Sequence, residues 1–213
     1  LHSETATEAQ LVPELVGREQ EFAAILAAWG RATAGQAAHV HLAAPAGLGK
    51  TRLVEDVRAR LRARGARVVH LRAPIGAREV AYALAGELVH ALAQLPGALG
   101  VPGDLAGALV ALAPALAGTF RTAPEPGGDA AETLRRRAIA VRELLAAVAE
   151  EQPVALLVDD VHWADVPSRT LLHFLLGALE PRPDGADEAD PRVGRTGRTR
   201  GRGGTAEQRR VLL

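Results

Sequence analysis

One stretch constrains the fold more than any other. Residues 38–43 read A-H-V-H-L-A, and 44–51 read A-P-A-G-L-G-K-T. The first segment predicts a strand. The sequence after the turn, K-T-R-L-V-E-D-V-R-A-R-L-R-A-R-G, predicts a helix with Leu53, Val54, Val57 and Leu61 on one face and Gly65 as its C-terminal stop. A strand that feeds directly into a helix returns to its sheet by a crossover, so the next strand runs parallel to it.

The rest of the chain continues this alternation. Apolar spacing (Phe22, Ile25, Leu26, Trp29) predicts a helix from about Arg18 to Thr33, with Gly30 and Gly35 as stop signals. A strand is expected over 66–73, a helix over 77–95 and a weaker one over 103–117. Residues 130–151 predict a strong helix, and 154–158, V-A-L-L-V, a buried parallel strand. A last helix is expected over 166–180, opened by Pro167 and Ser168. The fold class is therefore α/β with a mostly parallel sheet. Residues 1–13 read as a flexible lead, 14–180 as one domain, and 181–213, an acidic block followed by a Gly/Arg block, as a disordered tail.

Composition excludes several functions. There is no cysteine, hence no disulfide and no thiolate metal site. The formal net charge of zero gives no bulk attraction to nucleic acid or membrane. The most apolar stretch, 105–118, is short and contains Pro114, so it is not expected to span a bilayer. With no secretory leader at the first residues, a soluble cytoplasmic chain is expected. The tail holds seven arginines between 192 and 210, but it has no aromatic residue for base stacking and reads as a solvated linker.

Lys50 is the only lysine; every other basic residue counted with it is arginine. Its setting matches the phosphate-loop pattern G-x-x-x-x-G-K-[ST] between strand and helix, with Ala44 in place of the first glycine. Gly47 and Gly49 let the backbone approach a phosphate, with Leu48 between them, so that successive N–H groups form an anion nest at a helix N-terminus. Lys50 supplies a compact point charge for the β- and γ-phosphates, which a forked guanidinium would not replace. Thr51 offers a hydroxyl to Mg²⁺. The cofactors expected are ATP and Mg²⁺.

Such a site needs a carboxylate at the end of a neighbouring strand, and V-A-L-L-V-D-D supplies two. Asp159 is the metal-side candidate, with Thr51. Asp160 is the candidate for polarising the attacking water. His162 reads as a loop histidine beside Trp163, which fills the gap between strand end and helix. His39 and His41 share one strand face, and no third ligand makes them a metal site.

The strings L-V-G-R-E-Q-E-F (15–22), A-P-A-G-L-G-K-T-R-L-V-E-D-V and A-L-L-V-D-D-V-H-W-A-D-V-P-S-R-T-L-L-H-F-L occur in that order. Together they resemble the AAA-type ATPase module of the STAND class (signal-transduction ATPases with numerous domains), as found in bacterial regulators of the LuxR type. The resemblance implies a P-loop NTPase fold, a three-layer αβα sandwich. It also places Val16, Gly17 and Arg18 at the adenine and ribose end of the site. Partners by resemblance are other regulator domains or further copies of the chain.

The same resemblance places one more strand between the phosphate-loop strand and the strand ending in Asp159. About thirty low-complexity residues follow the helix at 166–180, and Val211 to Leu213 are where that strand is expected to open. A truncated, marginally stable module is the expectation, with its sensor, arginine finger and lid absent. Two functional readings follow. One is a nucleotide switch with slow hydrolysis. The other is a non-hydrolysing scaffold or inactive remnant, which the absent elements favour.

Overall fold

The computed structural model describes residues 17–43, 49–73, 75–120, 123–179 and 211–212. The helices are α1 (Glu19–Thr33), α2 (Lys50–Ala63), α3 (Ala83–Ala93), α4 (Ala106–Leu112), α5 (Ala130–Glu151) and α6 (Val166–Leu179). The strands are β1 (Arg67–Arg72), β2 (Val154–Asp159) and β3 (Val211–Leu212).

The three strands form one sheet in the order β1-β2-β3, all parallel. β1 and β2 pair in register from Arg67 opposite Val154 to Arg72 opposite Asp159. β3 covers only the start of β2, with Val211 opposite Val154 and Leu212 opposite Ala155. Successive side chains on a strand point to opposite faces. Accordingly Val69, Leu71, Val154 and Leu156 join a core with α3, α4, α5 and α6. Val68, Ala155 and Leu157 join a second core with α1 and α2, built on Trp29, Leu53, Val57 and Leu61. By the same alternation Asp159 falls on the α2 side.

Two helices close with the same device. Gly65 takes a positive φ of 80°, its N–H bonds the Arg62 carbonyl, and the Ala66 N–H bonds that of Leu61. This is a Schellman ending, which satisfies the last carbonyls of α2. Gly35 ends α1 in the same way, through Ala32 and Arg31. Gly30, expected to stop that helix, lies inside it. At the start of α5, the Asp129 carboxylate accepts the Glu132 N–H at 2.7 Å, a standard N-cap.

Several expectations are corrected. Residues 39–43 form no strand, and only Ala38 makes an isolated bridge. Residues 39–42 face a cavity rather than a pairing neighbour, and β3 is too short to reach along them. The helix expected from residue 77 begins at Ala83, because Tyr82 sits in the left-handed region at φ 63°. The helix expected over 103–117 is split at Pro114, which has no N–H to continue the ladder. α6 is capped by Asp165, whose carboxylate accepts the Ser168 N–H; Pro167 and Ser168 lie inside its first turn. The expected lead (1–13) lies outside the described residues, as does the tail apart from 211–212.

Candidate functional site

α2 starts where the phosphate-loop sequence ends. Gly49 takes φ 72°, which L side chains rarely adopt, and its carbonyl receives the Leu53 N–H as the first bond of the helix. Lys50 and Thr51 then occupy the first turn. The Thr51 hydroxyl donates to Asp159 Oδ2 at 3.3 Å, joining the start of α2 to the end of β2 across 108 residues of sequence. Asp159 is buried, 7% exposed, and its Oδ1 accepts the Asp160 N–H at 2.9 Å. One carboxylate oxygen is thus fixed by backbone and the other faces the hydroxyl.

Beside this contact lies a cavity of about 280 Å³. It is lined by Ile25, Val54, Val57, Leu172 and Leu176, by residues 39–42, and by Leu156–Asp159, with Lys50, Asp160 and His162. The structure therefore brings Lys50, Thr51, Asp159 and Asp160 together. Gly17 and Arg18 are not among the described residues that line this cavity; they open α1 instead. The Gly17 N–H donates to Glu19 Oε1 at 2.9 Å, and Arg18 pairs with Glu21 at 3.6 Å. The Glu19 carboxyl is held below its ordinary pKa by its own N–H and that of Gly17. Val16, Gly47 and Leu48 lie outside the described residues.

Asp160, which lines the cavity, is also held by β1. It is one of two non-glycine residues at positive φ, at 55°, among the described residues. Arg72, opposite Asp159 in the parallel register, donates to Asp160 Oδ2 from Nε and from a terminal nitrogen, both at 2.9 Å. With Arg72 62% exposed, this pair adds little stability, but it fixes the direction of the carboxylate.

Beyond Asp160 the chain makes one 3-10 turn, Val161–Trp163. Arg78, from the segment after β1, donates to the His162 carbonyl from Nε at 3.2 Å and Nη2 at 2.5 Å. Its guanidinium also lies 4.8 Å from the Trp163 ring centroid. Asp165, 1% exposed, accepts the N–H groups of Tyr82 and Ser168, each at 2.8 Å, while Ser168 Oγ accepts the Ala85 N–H at 3.0 Å. Burial pushes the Asp165 carboxyl up, but hydrogen bonds from Ser168, Tyr82 and Leu84 together outweigh it and hold the pKa below its ordinary value. Arg72, Arg78 and Asp165 were not singled out by motif reading. Arg72 emerges only with the strand register, which sets it opposite Asp159.

The chemistry of the donor set limits what it can bind. Among the described residues no group of three or more His, Asp or Glu side chains forms a metal cluster. A threonine hydroxyl and one carboxylate are too few for zinc. They suit Mg²⁺, which keeps several waters and shares substrate phosphate oxygens. His39 and His41 both line the cavity but form no such cluster. No described helix is long and apolar enough to cross a membrane.

Comparison with known proteins adds the following. The AAA ATPase domain family matches residues 14–184 of the chain. An uncharacterized protein of Rhizobium meliloti (strain 1021) is 31% identical over 173 residues, which cover 74% of this chain and 16% of that protein. The chain thus spans a small part of that relative's length. No solved structure matches.

Proposed function

The chain belongs to the AAA ATPase domain family, and from that premise we propose that it binds Mg²⁺·ATP at the start of α2 and uses binding and slow hydrolysis as a switch. The observation that carries this is the Thr51–Asp159 contact. It puts a hydroxyl and a buried carboxylate, the donor pair a phosphate-bound Mg²⁺ needs, at the N-terminus of a 14-residue helix.

The roles follow from chemistry. The N–H groups at the start of α2, with Gly47, Leu48 and Gly49 ahead of them, receive the β- and γ-phosphates where the helix dipole favours anions. Lys50 adds a point charge on the same oxygens. Thr51 and Asp159 would hold the Mg²⁺, which neutralises charge on the phosphate oxygens when bound. Asp160 takes the proton of the water that attacks the γ-phosphorus, and ADP leaves. Val16, Gly17 and Arg18 are assigned to the base and ribose end; their place before α1 is compatible with that role.

The wider setting we propose is a cytoplasmic regulator of the STAND type, with self-association or other regulator domains as partners. For the fold we propose a three-layer αβα sandwich. The helices packed on both faces of the sheet and the cavity lined by both residues 39–42 and β2 support it. In this reading Val211 and Leu212 occupy the first steps of a central strand position and the cavity is its remaining length. A second reading, nucleotide held without turnover, is favoured by one observation: Arg72 already engages the Asp160 carboxylate.

Fluorescent-ATP binding to the wild type and to Lys50→Ala tests the site. Loss of affinity of tenfold or more, about 1.4 kcal/mol, is expected. Equal affinity would remove the assignment. Steady-state phosphate release, with Asp160→Asn as control, separates the two readings. Turnover that stops in the variant supports the switch. Tight binding with no turnover in either protein supports the scaffold.

A further inference from the structure

The ATPase reading leaves unexplained how Asp160 is kept where it is. A non-glycine residue in the left-handed region is held there by its surroundings, and aspartate is among the few that adopt it through local hydrogen bonds. Two hydrogen bonds hold this one from inside the turn: the Asp160 carbonyl receives the Trp163 N–H at 2.8 Å, and the Val161 carbonyl that of Ala164 at 3.1 Å. The Asp160 N–H is held by Asp159 Oδ1 at 2.9 Å, and further holds come from residues 72–82. Arg72 grips the carboxylate, Arg78 grips the His162 carbonyl and covers the Trp163 ring, and the Tyr82 N–H is anchored on Asp165.

Of these, Arg78 is the one that reaches past Asp160 to His162 and Trp163. It spends two N–H groups on one carbonyl, a fork that lysine does not have, and lays the plane of the same guanidinium near an indole. A surface arginine with no role beyond solvation would have no need of both contacts. The αL residue, the carbonyl and the indole lie within four consecutive positions, 160–163, and the arginines that contact them both come from residues 72–82.

We propose that Arg78 is a positioning residue for hydrolysis: it clamps the 160–163 turn so that Asp160 is presented for water activation, without contacting nucleotide itself. This rests on the ATPase reading for its consequence, but the clamp is testable apart from it. When the clamp is removed, the turn relaxes toward ordinary backbone and the carboxylate moves. A displacement of this kind lowers the chemical step while binding at the start of α2 is unaffected.

The test compares wild type, Arg78→Lys and Arg78→Ala in the full chain. Amide hydrogen exchange is read first, without nucleotide. Arg78→Ala should speed exchange of the Trp163 and Ala164 N–H groups about tenfold or more, with the β1 and β2 amides unchanged. Steady-state hydrolysis is read second. kcat should fall about tenfold or more with KM for ATP within about twofold, and Arg78→Lys should recover part of both readouts. Unchanged exchange at Trp163 and Ala164 would overturn the clamp. Faster exchange with unaltered kcat would overturn its role in hydrolysis. If wild type fails to bind ATP, the ATPase reading falls, and the exchange data still decide whether Arg78 holds the turn.

Discussion

Asp165 gives up nearly all contact with water and receives N–H groups from two separate helix starts, those of α3 and α6. Asp165→Ala would leave these donors without their acceptor, and each such loss costs about 1–3 kcal/mol. A fall of at least about 2 kcal/mol in urea unfolding is expected, and a change under 0.5 kcal/mol would contradict this role. The sign of its pH effect also follows. Because the folded pKa lies below the unfolded value of about 3.9, its contribution is complete above that value and is lost as pH falls through the folded pKa. Asp165→Asn should flatten the acid limb of the stability curve, and an identical limb in both proteins would argue against it. At this scale the sequence was legible in part. That Thr51 and Asp159 meet was expected from pattern and spacing, because strand, turn and helix boundaries are written locally. Arg72 and Arg78 were not expected, because their partners come from a different segment; for Asp165 the i+3 cap of Ser168 is local, but its second partner, the Tyr82 N–H, is 83 residues away.

α5 was legible to its ends: the 22-residue apolar period runs unbroken from its aspartate cap to Glu151. Residues 38–43 were not, because a strand depends on a neighbour that local pattern does not reveal. α3 started late for a similar reason, since Asp165 holds Tyr82 in a conformation that no propensity predicts. Between α3 and α4, Gly97 shows how closely the elements meet. It has φ 89°, and a Cβ placed there would come within 2.5 Å of the Ala147 carbonyl oxygen of α5. Backbone against backbone gives little room to relax. Gly97→Ala should therefore cost more than the about 1 kcal/mol expected from conformation alone, measured as a lowered thermal midpoint. An unchanged midpoint would show that α5 can withdraw freely.

The α/β class was readable from the alternation of segments, and the parallel sheet with helices on both faces agrees with it. The extent of the sheet was readable in part: a strand was expected to open at Val211, where β3 pairs with β2, but the strand expected over 38–43 did not form. If the cavity is the remaining length of a strand position, extending the chain after Leu213 by four β-branched residues should fill it. The gain expected is about 1 kcal/mol or more, a rise of roughly 2–4 °C in Tm for a chain of this size. No rise, or a fall, would show that the cavity does not take a strand. The measurement that bears most directly on the whole account is titration of Mg²⁺·ATP into the ¹⁵N-labelled protein. Saturable shifts should concentrate at the amides of Gly49, Lys50, Thr51, Asp159 and Asp160. Absence of saturable shifts there, or saturation centred on another face of the molecule, would contradict it.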